Sequence, residues 1–246
     1  MSAGHTVVID LPTGTAEAFL AGAGPGVLLY MDAIGLRPQI EAMAQRIASW
    51  GYTVLAPNVF WRDGTAAELA PKTDLRIPGN REAFFASGVM DRVAALTPTV
   101  VRDDARVWLD TLAEHASAGP VAAVGYCFGG RLALRTAADF PDRVAAVGLF
   151  HSGGLVVDGP DSPHLLLPRV GARVLAGHAD HDRSNSPEQI AAFDEALTSA
   201  GIEHATAVYP DAPHGYTMAD TPMYQETGAQ RHYDELRELL AQALVP

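Results

Sequence analysis

GYCFGG, residues 125–130, carries the only cysteine of the chain, set two residues after one glycine and two before another. The apolar run VAAVGY (121–126) precedes it and the amphipathic stretch FGGRLALRTAAD (128–139) follows. Strand, then Gly-x-Cys-x-Gly, then helix is the context of a nucleophile elbow, with cysteine in place of the usual serine. So sharp a turn leaves almost no room for side chains at its flanks, which accounts for Gly125 and Gly129. It would lift the Cys127 sulfur above the carboxyl end of the sheet. The amino end of the following helix would point its free N–H groups at that sulfur, favouring thiolate and developing oxyanion alike. The competing reading is that free cysteines are usually buried and simply pack. Two glycines at these spacings behind a strand weigh against packing alone.

Working outward, short β-branched runs alternate with amphipathic stretches, the pattern of βα units around a mostly parallel sheet. Strands are expected at 5–11, 16–21, 26–31, 52–57, 121–126, 144–150, 172–178 and 204–210. The first two, joined by Pro-Thr-Gly, read as an antiparallel hairpin at the amino-terminal edge. Helices are expected around 38–50, 80–95, 98–117, 128–139, 186–201 and 222–244, the second and third broken at Thr97-Pro98. Glycine, proline and charge gather in 57–80 and 151–171, which read as loops over the sheet rather than linkers between two cores. The expectation is therefore one α/β domain over residues 1–246, a doubly wound sheet with helices on both faces.

Composition narrows the partners. The 246 residues are 48% hydrophobic and 19% charged, which is globular rather than disordered. A net charge of -12 repels nucleic-acid phosphates and anionic lipid surfaces, so neither is an expected partner. A single cysteine implies no internal disulfide, the amino terminus shows no basic region leading into a long apolar run, and no apolar stretch approaches a bilayer span. A cytoplasmic protein acting on a small molecule without a cofactor is the expectation.

A thiol nucleophile needs a base, and the base needs an orienting acceptor. In sheets with this elbow the order along the chain is nucleophile, acid, histidine, each after a later strand. The strand ending in GHADHDRS offers Asp180 and Asp182, and the last strand leads into DAPHGY and His214. Asp180 is preferred as the acid, because it follows the apolar run directly, and Asp182 reads as a solvated loop charge. Among the other histidines, His151 follows a strand and could line the pocket mouth. His5, His115, His204 and His232 fall at strand starts or on helices, and His164 in a proline-rich loop. The group His178, Asp180, His181 and Asp182 invites a metal reading, but one short loop supplies no third ligand at a recognised spacing, so no metal is expected.

These residues resemble the dienelactone hydrolase family of α/β hydrolases, in which cysteine replaces serine at the elbow. The likeness runs from VLLYMDAIG through GYCFGG and GHADHD to PHGY. It implies Cys127 as nucleophile, Asp180 as acid and His214 as base, with the backbone N–H groups of Phe128 and Ala33 as the oxyanion hole. Where members of the family carry a glutamate near the resting thiol, this chain has Asp32, one methylene shorter, which reads equally as a proton gate or a helix cap. Of two family arginines that hold a substrate carboxylate, one falls at Arg81, which reads equally as a surface charge at a helix start, and the other position is Met218. That loss points to a less charged or bulkier acyl group. Trp61, Phe85 and Tyr216 are further candidates for the pocket wall. The activity implied is hydrolysis of carboxylic esters or lactones through an acyl-cysteine. Thioester hydrolysis, acyl transfer, or a non-hydrolytic ligand-binding or thiol-sensing role on the same fold are the alternatives.

Overall fold

A computed structural model describes residues 4–244. Eight strands form one sheet: β1 (His5–Leu11), β2 (Gly14–Gly22), β3 (Gly26–Tyr30), β4 (Thr53–Pro57), β5 (Val121–Tyr126), β6 (Val144–Phe150), β7 (Arg173–Ala179) and β8 (His204–Tyr209). Their order is β1-β2-β4-β3-β5-β6-β7-β8. The first hairpin closes at Leu11↔Gly14 and its second strand lies antiparallel to β4, while every pair from β4 through β3 to β8 is parallel. Residues of β3, β4 and β5 are buried throughout, which is why those runs are apolar at every position rather than at alternate ones.

The helices are α1 (Pro38–Ala48), α2 (Ala66–Leu69), α3 (Asn80–Phe85), α4 (Val89–Ala95), α5 (Pro98–His115), α6 (Gly129–Asp139), α7 (Pro187–Ser199) and α8 (Glu226–Ala243). From β3 the chain crosses by α1 to β4 on one side, then returns by α5 to β5 on the other. Right-handed crossovers in opposite directions place those helices on opposite faces. Thus α5 packs with α6, whereas α1 meets α8 through Arg46 with Gln230 and Trp50 with Tyr233. The reversal of strand order between β3 and β5 opens a crevice at their carboxyl ends, the place where doubly wound sheets bind ligands.

Two expected helices differ in detail. The stretch 80–95 is two helices, because Gly88 adopts a left-handed conformation (φ 90) and interrupts it. The last helix begins at Glu226 rather than near 222, capped by the Gln225 side chain, which accepts from the Gly228 N–H. Among the described residues no helix is long and apolar enough to cross a membrane.

Candidate active site

Cys127 stands between β5 and α6 with φ 54, a left-handed conformation that a β-carbon makes costly, and its N–H donates to the Phe150 carbonyl of β6. The neighbouring glycines make the turn possible. A β-carbon on Gly125 would lie 2.1 Å from the Gly129 carbonyl oxygen, and one on Gly129 would lie 2.4 Å from the Met31 carbonyl oxygen. Both clashes are with backbone, which cannot move aside.

Directly across the crevice, His214 arrives on the loop after β8. Its Nε2 lies 3.1 Å from Cys127 Sγ and its Nδ1 lies 2.7 Å from Asp182 Oδ2. The carboxylate on His214 is thus that of Asp182, where Asp180 was expected. Asp180 does follow β7 directly, but its carboxylate accepts from the Asp211 N–H and ties the β7 and β8 loops together. The next residue, His181, is left-handed (φ 51) and turns the chain back, so that Asp182 enters the site with its side chain only 3% exposed. Its second oxygen, Oδ1, accepts from the Ser184 N–H at 2.8 Å and from Ser184 Oγ at 2.7 Å. That hydroxyl also lies 3.2 Å from His214 Nδ1. The available signal was the Asp-Arg-Ser run itself, since an aspartate two residues before a serine commonly bonds the backbone and fixes a turn.

Electrostatics follow from this geometry. Burial pulls the His214 pKa down, but the Asp182 carboxylate and the Cys127 sulfur together push it up to about 10. For Asp182, burial acts upward and is overcome by hydrogen bonds from His214 and Ser184, which hold the carboxyl below its ordinary value. The His214 imidazole therefore holds its proton at neutral pH. His151 packs edge-on against His214, with ring centroids 5.3 Å apart. It is fully buried, bonded through Nε2 to Thr217 Oγ1, and its pKa is pushed well down by burial, so it stays a neutral wall of the site.

These groups line a cavity of about 370 Å³ that also includes Ala33, Phe128, Arg81, Phe85, Arg131 and Met218. Ala33 follows β3 and Phe128 follows the cysteine, so both line the cavity from neighbouring strand ends. Arg81 lies over the Phe85 ring, 4.8 Å from its centroid, with a buried Nε that has no partner. Two expected wall residues are elsewhere. Trp61 donates its indole N–H to Asp104 and stacks under Arg62, and Tyr216 is fully buried with its hydroxyl on the Gly177 carbonyl.

Asp32 borders the cavity but has a different partner from either one expected. Its carboxylate accepts from Arg37 Nη1 at 2.6 Å and Nη2 at 3.2 Å, and from the Ile34 N–H. Arg37 also holds Asp220 at 2.6 Å and touches Met218 Sδ at 3.5 Å. Buried Asp32 and Arg37, with half-buried Asp220, therefore form a network that braces the segment after His214. Sequence reading passed over Arg37, because a basic residue before Pro38 looks like an ordinary helix-start charge. The histidine and aspartate group at 178–182 diverges: His178 is buried against Asn185 and Phe193, while the His181 side chain is 92% exposed.

Comparison with known proteins places this geometry in a wider setting. The sequence profile of the "Dienelactone hydrolase family" matches residues 15–244. The Salmonella typhi protein named "Putative carboxymethylenebutenolidase" is 26% identical over 223 residues, covering 90% of this chain and 78% of that one. The "Carboxymethylenebutenolidase" of Pseudomonas sp. (strain P51) is 30% identical over 118 residues, covering 48% of this chain and 46% of its own. Among solved structures, the "Putative Dienelactone Hydrolase" of Klebsiella pneumoniae superposes with a TM-score of 0.82 at 22% identity, over 97% of this chain and 98% of that one.

Proposed function

The chain belongs to the dienelactone hydrolase family, a family of hydrolases, and from that premise we propose that it hydrolyses small carboxylic esters or lactones through an acyl intermediate on Cys127. The observation that carries the reading is the unbroken relay Cys127 Sγ, His214 Nε2, His214 Nδ1, Asp182 Oδ2, with contacts of 3.1 Å and 2.7 Å. Three residues from three strand ends meet in the order that nucleophilic catalysis requires. The lactone class comes from the names of the relatives and the ester class from the chemistry of the relay.

In this mechanism the His214 imidazolium stands beside the Cys127 thiolate before substrate arrives. The thiolate attacks the carbonyl carbon, and the electron pair displaced onto oxygen is received by the N–H groups of Phe128 and Ala33. His214 gives its proton to the leaving alkoxide as the carbon–oxygen bond breaks, which leaves a thioester on Cys127. Neutral His214 then takes a proton from water, whose oxygen attacks the thioester carbonyl. Expulsion of the thiolate releases the acid and restores the ion pair. Asp182 keeps the imidazole oriented and supports its charge at both stages. Because thiolate is itself a good leaving group, activated acyl groups such as enol lactones and aryl esters are favoured over amides.

Hydrolysis of p-nitrophenyl acetate tests the proposal. Cys127→Ala is expected to lower kcat by at least about 10³-fold with an unchanged melting curve, and acid-quenched wild-type protein should carry one acetyl group by intact mass. Full activity in Cys127→Ala would overturn the mechanism. Alkylation of Cys127 by iodoacetamide with no turnover across aryl esters, lactones and thioesters would favour a thiol-sensing or ligand-binding role instead.

A further inference from the structure

We propose that Arg131 is the specificity-determining cation of this cavity, placed to grip a carboxylate on the acyl part of the substrate from the elbow helix rather than from position 218. Arg131 lies one turn beyond Cys127 on α6 and lines the same cavity as the sulfur, His214 and Met218. Its side chain runs along Gly154, where a β-carbon would meet Arg131 Cδ and Nη1 at 3.6 Å. Gly154 is left-handed (φ 66), so its bare backbone leaves the guanidinium space at the cavity wall. A second cleft of about 330 Å³ adjoins the first and shares Val93, Phe128, Arg131 and Gly154, so the guanidinium stands at their junction.

Arg131 shares with Arg81 the absence of an internal counter-charge, and what singles it out is its place on α6, one turn beyond the thiol. The two carboxylates of the site are engaged elsewhere: Asp32 by Arg37, Asp182 by His214 and Ser184. Among the described residues Arg131 makes no ion pair or side-chain hydrogen bond. Burial pulls its pKa down, and the only charge acting the other way is that of Cys127. A largely buried guanidinium without a carboxylate partner is costly to keep, and its planar fork matches a carboxylate in bidentate fashion. The apolar thioether at Met218 removes a cation from the opposite wall, and its sulfur rests on Arg37, which is already committed to two aspartates. One turn beyond Cys127 and on the cavity wall it shares with the sulfur, Arg131 is placed to hold an anion beside the attacked carbonyl.

The assignment rests on the hydrolytic reading of this cavity for the substrate class, but its test does not require turnover. Cys127 is alkylated with iodoacetate, which carries a carboxylate, and with neutral iodoacetamide, and the ratio of the two second-order rates is read. Arg131→Met should lower that ratio about tenfold, and Arg131→Lys, which keeps the charge without the fork, should fall between. Arg135→Met, one turn further along α6, should leave the ratio where it is. Equal losses with both reagents in Arg131→Met would mean that the arginine only tunes the thiol, and would overturn the proposal. So would a ratio that responds to Arg81→Met and not to Arg131→Met. A second comparison uses mono-p-nitrophenyl glutarate against p-nitrophenyl butyrate, where Arg131→Met should raise KM for the anionic ester selectively. A shifted alkylation ratio with neither ester turned over would support Arg131 and overturn the hydrolytic reading.

Discussion

Two sharp reversals at the carboxyl edge of the sheet build the site, one at 125–130 after β5 and one at 179–185 after β7. Both contain a left-handed residue that is not glycine, Cys127 in the first and His181 in the second. In the first, the strained residue is itself the proposed nucleophile and glycines flank it, because backbone passes within 2.1 Å to 2.4 Å of where their β-carbons would be. In the second, the strained residue is a fully turned-out histidine, and its effect is felt one position later, where Asp182 is carried inward. A turn enforced by backbone clashes tolerates little change. One held by side-chain hydrogen bonds can be loosened in steps.

The two aspartates of the second turn offer the sharpest way to break this comparison. Asp182→Asn should lower kcat for an aryl ester by about 10³-fold, while Asp180→Asn should stay within about threefold, since its carboxylate only accepts from the Asp211 N–H. Comparable losses in the two would mean that the second turn is not organised around Asp182. At the first turn, Gly129→Ala should destabilise the fold by about 3 kcal/mol, as measured by urea unfolding, because the added carbon meets the Met31 carbonyl. A variant as stable as wild type would show that the elbow is looser than its contacts imply. Ser184→Ala removes one of the two donors on Asp182 Oδ1 but leaves the backbone donor. A fall in kcat of about tenfold with little change in KM is expected.

A further effect lies in the pH dependence of stability. The folded His214 pKa of about 10 is above its ordinary 6.5, so this group contributes fully below 6.5 and its contribution is lost as pH rises through 10. Asp182 is held below its ordinary 3.8, so its contribution is present above that value and is lost on acidification. The stability gap between wild type and Asp182→Asn should therefore be widest between about pH 4 and 6.5, at about 2 kcal/mol, and should narrow toward pH 10. A gap that widened with rising pH would contradict the ion pair.

The alternation of apolar runs and amphipathic stretches was enough to place all eight strands and the amino-terminal hairpin, because central parallel strands are buried on both faces and read as continuous hydrophobic segments. Cys127 and His214 were legible for a related reason: each lies next to a feature that sequence displays directly, a glycine-flanked turn and a strand end. Asp182 was not, because choosing between carboxylates two residues apart needs the backbone angle at His181 and the hydroxyl of Ser184. Arg37 escaped notice altogether, since its link from Asp32 to Asp220 joins segments 183 residues apart. Likewise Trp61 and Tyr216 have the composition of pocket residues but spend their polar atoms on Asp104 and the Gly177 carbonyl.

By itself, then, the amino-acid sequence determined the layered α/β architecture, the elbow and the cysteine and histidine that meet there. Those depend on periodicity and on local backbone freedom, which neighbouring residues encode. Tertiary structure alone decided which carboxylate meets His214, which distant aspartate Arg37 joins to Asp32, and which guanidinium groups line the cavity without an ion pair. Those depend on where side chains distant in sequence come to rest, and hydrogen-bond geometry reaches only a few ångströms.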